Sequence, residues 1–437
     1  MIADSVDSAT DDVVRFLSDL PSDMLAEVFL WCELESLEQA LSVSQTCRVL
    51  ARSLAQSRVW RRRRHENAGA LALSRLAAGS FTSVALHGLS GGVRDLTMQG
   101  DLLVSGSKDN CARLWGMRTL GTCFAEWCHP NWVGAVALSH SASGLVATGG
   151  DDAKVRVWST DVSAPPSSSS LGPTPVELKG DSHGWIAGVG WADDSGTIRS
   201  SSSSDEGRPV PPLLSCSRDG EVVVWDVCSQ ARLAHEYTRP VRAPGCRSSV
   251  MVTAFDMLGT CAAIARTASQ QGASSNRLEL AVYSVGGALH LREERVIAPS
   301  QGSVDLGPVL SLAFDRGEGG DGAGSDGSLR HGLASGSNWG AVHLWDLRSA
   351  GSTATLENGC PGGIRSLAFS GHLLVAGRDP GPLLNVWDLR VRKIVQRLQG
   401  HSNNDTLALA LDADRGRIAC GGRMNELRVW DLFASVN

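Results

Sequence analysis

The stretch His129-Pro-Asn-Trp132-Val133, continuing through Leu145-Val-Ala-Thr148-Gly-Gly-Asp151-Asp152 to Val155-Arg-Val-Trp158, decides how this chain folds. It holds three short alternating apolar runs, Val133 to Leu138, Leu145 to Thr148 and Lys154 to Trp158, separated by small or turn-forming residues. Period-two alternation with Gly, Asp and Ser punctuation predicts antiparallel strands joined by tight turns. The polar residues suggest a hydrogen-bonded set: a histidine before the first strand, a hydroxyl on the second, an aspartate in the turn, an indole on the third. A buried indole N–H needs an acceptor and an imidazole needs both nitrogens satisfied. A relay of Trp158, Thr148, His129 and Asp152 would therefore lock the sheet. One such sheet cannot bury both its faces, so the unit must recur.

It does recur. The third-strand aromatic returns at Trp115, Trp158, Trp225, Tyr283, Trp345, Trp387 and Trp430, in steps of 43, 67, 58, 62, 42 and 43 residues. The three short steps match the period of about 40–45 residues of WD repeats, and the three long ones carry insertions. With Trp225-Asp226, Trp345-Asp346, Trp387-Asp388 and Trp430-Asp431 as literal WD pairs, residues 80–437 resemble the WD-repeat family. The resemblance implies a mainly β fold, a seven-bladed propeller. The full relay is expected at His129, Thr148, Asp152 and Trp158, and again at His183, Ser215, Asp219 and Trp225. It decays where Tyr283 replaces Trp and where Trp339 and Met424 take the aspartate position, so those blades are expected to hold by packing. Phe81 to Leu86 reads as an orphan strand, and the chain ends soon after Trp430 without an outer strand. The orphan is expected to complete the last blade, closing the ring and removing its free edges.

Composition bounds the function. The chain of 437 residues is 42% hydrophobic and 20% charged, with 48 glycines, which fits a turn-rich all-β protein. A net charge of −6 argues against nucleic-acid or bulk membrane affinity. Eleven scattered cysteines without a CxxC pair read as reduced thiols. Cys123, Cys128 and His129 lack matching partners by spacing, so neither metal nor cofactor is expected. The N-terminus has no signal-peptide pattern and the chain no long apolar span, so a cytoplasmic or nuclear location is expected. Nucleotide-cradling loops, nucleophile elbows and metal-helix motifs are missing, which points away from an enzyme.

Residues 1–12 read as disordered. Between them and the repeats the period changes. Leu25, Val28, Phe29 and Cys32 fall on one helix face, and Ser36-Leu-Glu-Gln39 opens a second helix as a capping box. A third groups Cys47, Leu50, Ala51 and Leu54. Leu20-Pro21, Met24-Leu25, Val28-Phe29, Leu37, Ala40-Leu41, Val43, Cys47-Arg48 and Val59-Trp60-Arg61 together resemble the F-box over residues 16–64, departing from it at Val49-Leu50. The organisation expected is an F-box at 13–66, an Ala/Gly/Leu linker at 67–80 and a propeller at 81–437. The resemblance implies a substrate receptor of an SCF-type cullin–RING ubiquitin ligase. A Skp-family adaptor and, through it, a cullin scaffold would be held by Leu20, Pro21, Leu25, Val28, Phe29, Leu37 and Leu41.

In a WD propeller the first-strand starts and the second-to-third-strand turns open on one face, the top. Arg94 and Arg365 hold corresponding places at first-strand starts; Lys108, Arg218, Arg378 and Arg423 hold the turn place before the aspartate position. Five of the six come from units six, seven and one, neighbours in a closed ring. Arginine forks suit carboxylate and phosphate oxygens, so the top face is expected to bind an acidic or phosphorylated segment of a protein substrate. Four low-complexity insertions, Ser163 to Pro175, Asp193 to Pro212, Thr267 to Asn276 and Arg316 to Ser328, read as loops; three fall on the bottom face. Two other readings stand beside this one: a propeller scaffold or peptide reader, and a receptor for the other major cullin ligase class through Trp345-Asp-Leu-Arg348 and Trp387-Asp-Leu-Arg390.

Overall fold

The three alternating runs of the 129–158 stretch are strands, Val133–Leu138, Leu145–Gly150 and Lys154–Ser159, and Val176–Lys179 adds a fourth outside them. Six further four-stranded antiparallel sheets repeat this meander. The computed structural model describes residues 58–118, 121–139, 144–160, 175–181, 184–192, 210–237, 248–270, 277–285, 291–297, 308–316, 332–347, 352–357, 362–400 and 406–433. First strands pack side by side around a central axis, each against the next, and the first strand of blade seven returns to that of blade one. The result is a closed seven-bladed propeller. First-strand residues line a central cavity, and apolar side chains fill the layers between blades, as where Ala135, Val155 and Val157 meet Ile186, Val189 and Trp225. Burial of such apolar area is the main favourable contribution to folding.

The tight turns have a common geometry. The last turn position before the third strand takes positive φ in four blades: Asn110 (68°), Ala153 (59°), Gly220 (94°) and Gly340 (86°). Glycine is free there, whereas alanine at 153 is strained.

Ring closure is as expected. Thr82–Leu86 is the outer strand of blade seven, pairing with Leu427–Asp431 from Thr82 opposite Asp431 to Leu86 opposite Leu427. Leu86 is fully buried with Leu89, Leu103, Val429 and Leu427 between blades seven and one.

The residues expected to be a linker are different. Positions 67–77 are the second half of a helix, Arg58–Ala77. Its alanines and leucines, which suggest a spacer by composition, are strong helix formers. Ala72, Leu73 and Leu76 bury on the apolar layer of blades six and seven, with Leu398, Leu411 and Leu432. The helix ends at Gly79 (φ 67°), and Ser80 N–H returns to the Arg75 carbonyl. A helix docked to the blades therefore leads into the closing strand. Leu20, Pro21, Leu25, Val28, Phe29, Leu37 and Leu41 lie outside the described residues, as do His183, His401 and most of the four insertions.

The relay in blade two is real in three members and altered in the fourth. Trp158 Nε1 donates to Thr148 Oγ1 at 2.9 Å, and Thr148 Oγ1 meets His129 Nε2 at 2.9 Å. His129 Nδ1 meets not Asp152 but Arg156, at 3.0 Å, and Arg156 carries the connection to Asp152 at 2.7 Å and to Glu177 at 2.9 Å. A guanidinium can only donate, so Nδ1 accepts, Nε2 carries the proton, and the Thr148 hydroxyl donates to the Arg156 carbonyl at 3.3 Å. Blade one repeats the arginine: Arg113 bonds Asp109 at 2.7 Å and Glu126 at 2.8 Å. Both arginines are buried.

Elsewhere the indole–hydroxyl bond persists at Trp115–Ser105, Trp225–Ser215 and Trp345–Ser335, at 2.8–2.9 Å. Blade five therefore keeps a bond where packing alone was expected. Blade four substitutes its own, Tyr283 Oη to Glu293 at 2.8 Å. In blade six the Trp387 indole N–H is buried with no partner among the described residues.

Two outcomes are expected. Leu86→Asp places an unpaired charge in the closing layer and should cost more than about 3 kcal/mol in urea unfolding; an unchanged midpoint would mean the strand does not close the ring. His129 is held neutral, its pKa lowered to about 4 by burial and then by Arg156. Its folded value lies below the unfolded 6.5, so its contribution is complete above pH 6.5 and lost as pH falls toward 4. Between pH 7.5 and 5 the wild-type chain should lose about 2 kcal/mol more than His129→Gln, and equal losses would contradict the neutral imidazole.

Candidate functional site

Because each blade's first strand starts on the top face and its second strand ends there, the top collects residues from seven distant stretches of sequence. Arg94 is the second residue of Val93–Gln99, and Arg365 the third of Gly363–Ser370. Lys108, Arg218 and Arg423 stand in turns that follow second strands ending at Ser107, Ser217 and Gly422. All five line one central cavity of about 530 Å³, together with Trp185. Arg378, expected with them, is half-buried at the end of Leu373–Asp379 and is not among the cavity's lining.

The charges are arranged differently from a simple basic sector. Arg365 Nε donates to Asp379 at 2.7 Å, and Arg423 reaches the same carboxylate at 3.3 Å. One aspartate of blade six thus bridges cations of blades six and seven, offsetting half of their charge. The other three cations lie against apolar groups. Lys108 Nζ is 4.9 Å from the Trp132 ring centroid and the Arg94 guanidinium 6.0 Å from it. The Arg218 guanidinium covers Trp185 at 4.0 Å and points one nitrogen at Met251 Sδ, 3.0 Å away. Trp132 is 41% exposed and Met251 39%. The mouth is therefore amphipathic on the side of blades one to three and ionic on the side of blades six and seven.

Sequence reading missed the aromatic half. Trp132 and Trp185 each stand one residue before a first strand, at Val133 and Ile186, and that shared position was the available signal. A cation over an indole face is worth about 0.5–1 kcal/mol at an exposed site, enough to hold each long side chain at the rim.

Two carboxylates complete the electrostatics. Burial raises the pKa of Asp151, with Arg94, Arg218 and Lys108 pulling it back, and its Oδ1 is buried without a hydrogen-bond partner among the described residues. Burial raises Asp95 to about 6 against the pull of the Val136 and Leu96 N–H groups. Those two bonds, at 2.8 and 2.9 Å, occupy both its oxygens. Asp95 thus fastens blade one to blade two. What the mouth offers is recognition: forked donors for oxyanions beside flat apolar surface. Arg390, expected to mark a WD-x-Arg receptor motif, forks onto Asp388 at 2.7 and 3.0 Å; Arg348 lies outside the described residues.

At the outer corner of blade one, Cys111, Glu126 and Cys128 bring three metal-ligating atoms within 4.8 Å of one another. Their sulfurs are 3.0 Å apart, closer than the roughly 3.8 Å that two thiolates take around tetrahedral zinc. No helix among the described residues is long and apolar enough to cross a membrane.

Comparison with known proteins agrees with the repeat architecture. The WD domain, G-beta repeat family matches residues 81–116 and 121–159. The chain is similar to cell division cycle 20.1, cofactor of APC complex, of Arabidopsis thaliana, at 34% identity over 103 residues, 23% of this chain and 22% of that protein. It is similar to anaphase-promoting complex subunit cdc20 of Dictyostelium discoideum at 32% over 101 residues, 23% and 20% of the two chains. A third relative, meiotic fizzy-related protein 1 of Schizosaccharomyces pombe, is 29% identical over 103 residues, 24% of each. The chain thus spans about a fifth to a quarter of the length of these relatives.

Asp379→Asn frees Arg365 and Arg423 without touching Lys108 or Arg218. It should tighten binding of a glutamate-rich peptide about threefold at low salt, measured by fluorescence anisotropy, with the gain fading as salt screens the exposed cations. Weaker binding would show that Asp379 organises the arginines rather than masking them.

Proposed function

We propose that this chain is a non-catalytic substrate-recognition subunit of a ubiquitin ligase, taking an acidic or phosphorylated segment of its target at the top face of the propeller. The observation that carries the reading is the channel mouth, where five cations from blades one, three, six and seven converge beside Trp132 and Trp185. Such a subunit accelerates modification by proximity, raising the effective concentration of target lysines near the transferred ubiquitin.

Two assemblies are in view, each with its own support. Three relatives of this chain are named for the anaphase-promoting complex or the fizzy group, which favours a cofactor of that complex. The F-box-like segment favours an SCF-type ligase through Leu20, Pro21, Leu25, Val28, Phe29, Leu37 and Leu41, outside the described residues. The similarity gives the first assembly the stronger support. The helix Arg58–Ala77, seated on blades six and seven, would hold an N-terminal adaptor-binding segment rigidly to the receptor in either case.

Affinity purification of the full chain from proteasome-inhibited cells separates the possibilities. Anaphase-promoting complex subunits at equal stoichiometry support the first assembly, and a Skp-family adaptor with a cullin supports the second. Recovery of neither, with no ubiquitylated protein, would reduce the chain to a propeller scaffold. In the same experiment Lys108→Ala with Arg218→Ala should cut target recovery by more than about tenfold, since each charge-assisted bond contributes about 1.5–3 kcal/mol. Unchanged recovery would remove the top face from the account.

A further inference from the structure

At the top outer corner of blade one, two cysteines face each other. Cys111 opens the third strand, Cys111–Gly116, and Cys128 closes the fourth, Thr122–Cys128; the register sets them directly opposite. His129 N–H donates to the Asn110 carbonyl at 2.7 Å, so the hydrogen-bonded pair is the neighbouring one and the cysteines occupy a non-hydrogen-bonded position. Such positions have the closest approach across an antiparallel ladder, with Cα atoms about 4.5 Å apart and side chains drawn together. That separation lies at the short end of the range that disulfides span, about 4.4–6.8 Å. The sulfurs are already 3.0 Å apart, inside ordinary van der Waals contact. Cys111 is buried and Cys128 exposed.

We propose that Cys111 and Cys128 are a reversible modification site, forming a cross-strand disulfide when a peroxide or an oxidised low-molecular-weight disulfide is the oxidant. With hydrogen peroxide, the exposed Cys128 sulfur attacks one peroxide oxygen; the O–O bond breaks, water leaves, and Cys128 becomes a sulfenic acid. Cys111 sulfur then attacks Cys128 sulfur, the S–O bond breaks, and the Cys111 proton, relayed through Glu126, joins the departing hydroxide as a second water. Two thiols lose two electrons and peroxide gains them. Glu126 Oε1, which accepts from the Cys111 thiol at 3.7 Å, is placed to take that proton, and Arg113 holds its other oxygen at 2.8 Å. Burial, then the facing Cys128, raise the Cys111 thiol pKa, so Cys111 stays protonated until Glu126 draws its proton off in the second step, whereas the exposed Cys128 is the sulfur that the oxidant reaches first.

The location ties chemistry to the mouth. Cys111 follows the turn that carries Lys108, and Cys128 leads into the connection that carries Trp132, the two halves of one cation–π pair. The bond would join the supports of both.

The test treats the full chain with excess hydrogen peroxide, in the presence of a metal chelator, then blocks free thiols and maps peptides by mass spectrometry. The expected product is a Cys111–Cys128 linked peptide two hydrogens lighter than its parts, reversed by dithiothreitol, abolished by Cys128→Ser and retained by Cys123→Ser. Cys128 carrying two added oxygens while Cys111 remains a free thiol would overturn the proposal. So would a Cys123–Cys128 link. Because Cys128 is exposed, its serine variant keeps the fold, and circular dichroism of that variant checks the point.

Discussion

The rest of the molecule depends on the antiparallel pairing of Thr82–Leu86 with Leu427–Asp431. Five residues from the start of the repeat region meet five from its end, and the ladder that results completes blade seven and ties the two ends of the ring together, leaving each blade only a short outer edge. Without it, blades one and seven would be neighbours only through side-chain packing. Close approach at the seam reinforces the closure: a Cβ at Gly92 would lie 2.5 Å from the Arg423 carbonyl oxygen, so only glycine lets blade one sit against the blade-seven turn. On the bottom, Asp101 of blade one gathers Arg118, Arg415 and Arg417, drawing its pKa to about 2. The convergence of cations at the mouth follows from this geometry, since Arg94 precedes Arg365 and Arg423 by 271 and 329 residues in sequence.

Much of the architecture was legible because a repeat declares itself seven times. The spacing of Trp115, Trp158, Trp225, Tyr283, Trp345, Trp387 and Trp430, with an orphan strand at one end and a missing strand at the other, leaves few alternatives to a closed ring. Single links within a blade were less so. A histidine, a hydroxyl and an aspartate invite a direct imidazole–carboxylate bond; nothing in spacing alone says that Arg156 interposes itself. Its signal was the arginine two residues before tryptophan in both Cys111-Ala-Arg113-Leu-Trp115 and Val155-Arg156-Val-Trp158. The stretch 67–77 misled because alanine and leucine serve spacers and helices equally, and only the packing of Ala72, Leu73 and Leu76 decides between them.

The candidate site was legible in its positions and not in its pairings. Alignment of repeats places Arg94, Lys108, Arg218, Arg365 and Arg423 on one face, and the fold puts them around one cavity. That Asp379 would divide itself between Arg365 and Arg423, or that Arg218 would lie on Trp185, depends on distances between blades that no local pattern encodes. The two halves of the mouth suit different parts of one ligand. Acidic groups would find the donors of Arg94, Lys108 and Arg218 beside the tryptophans, and apolar side chains the exposed faces of Trp132 and Met251. A receptor that reads a short segment of a protein needs both, since charge steers and apolar contact holds.

Holding a protein target at this mouth has a direct signature in backbone protection. Hydrogen exchange on the full chain, with and without a captured target, tests it most directly. A target held there should slow exchange at Ser90–Arg94, Lys108–Asn110, Asn131–Gly134, Gly184–Ile186, Arg218–Gly220, Gly363–Ser366 and Arg423–Asn425, with the bottom turns at Gly100–Asp101 and Asp414–Gly416 unchanged. Protection confined to the bottom turns or to the outer strands, with the mouth exchanging freely, would contradict it.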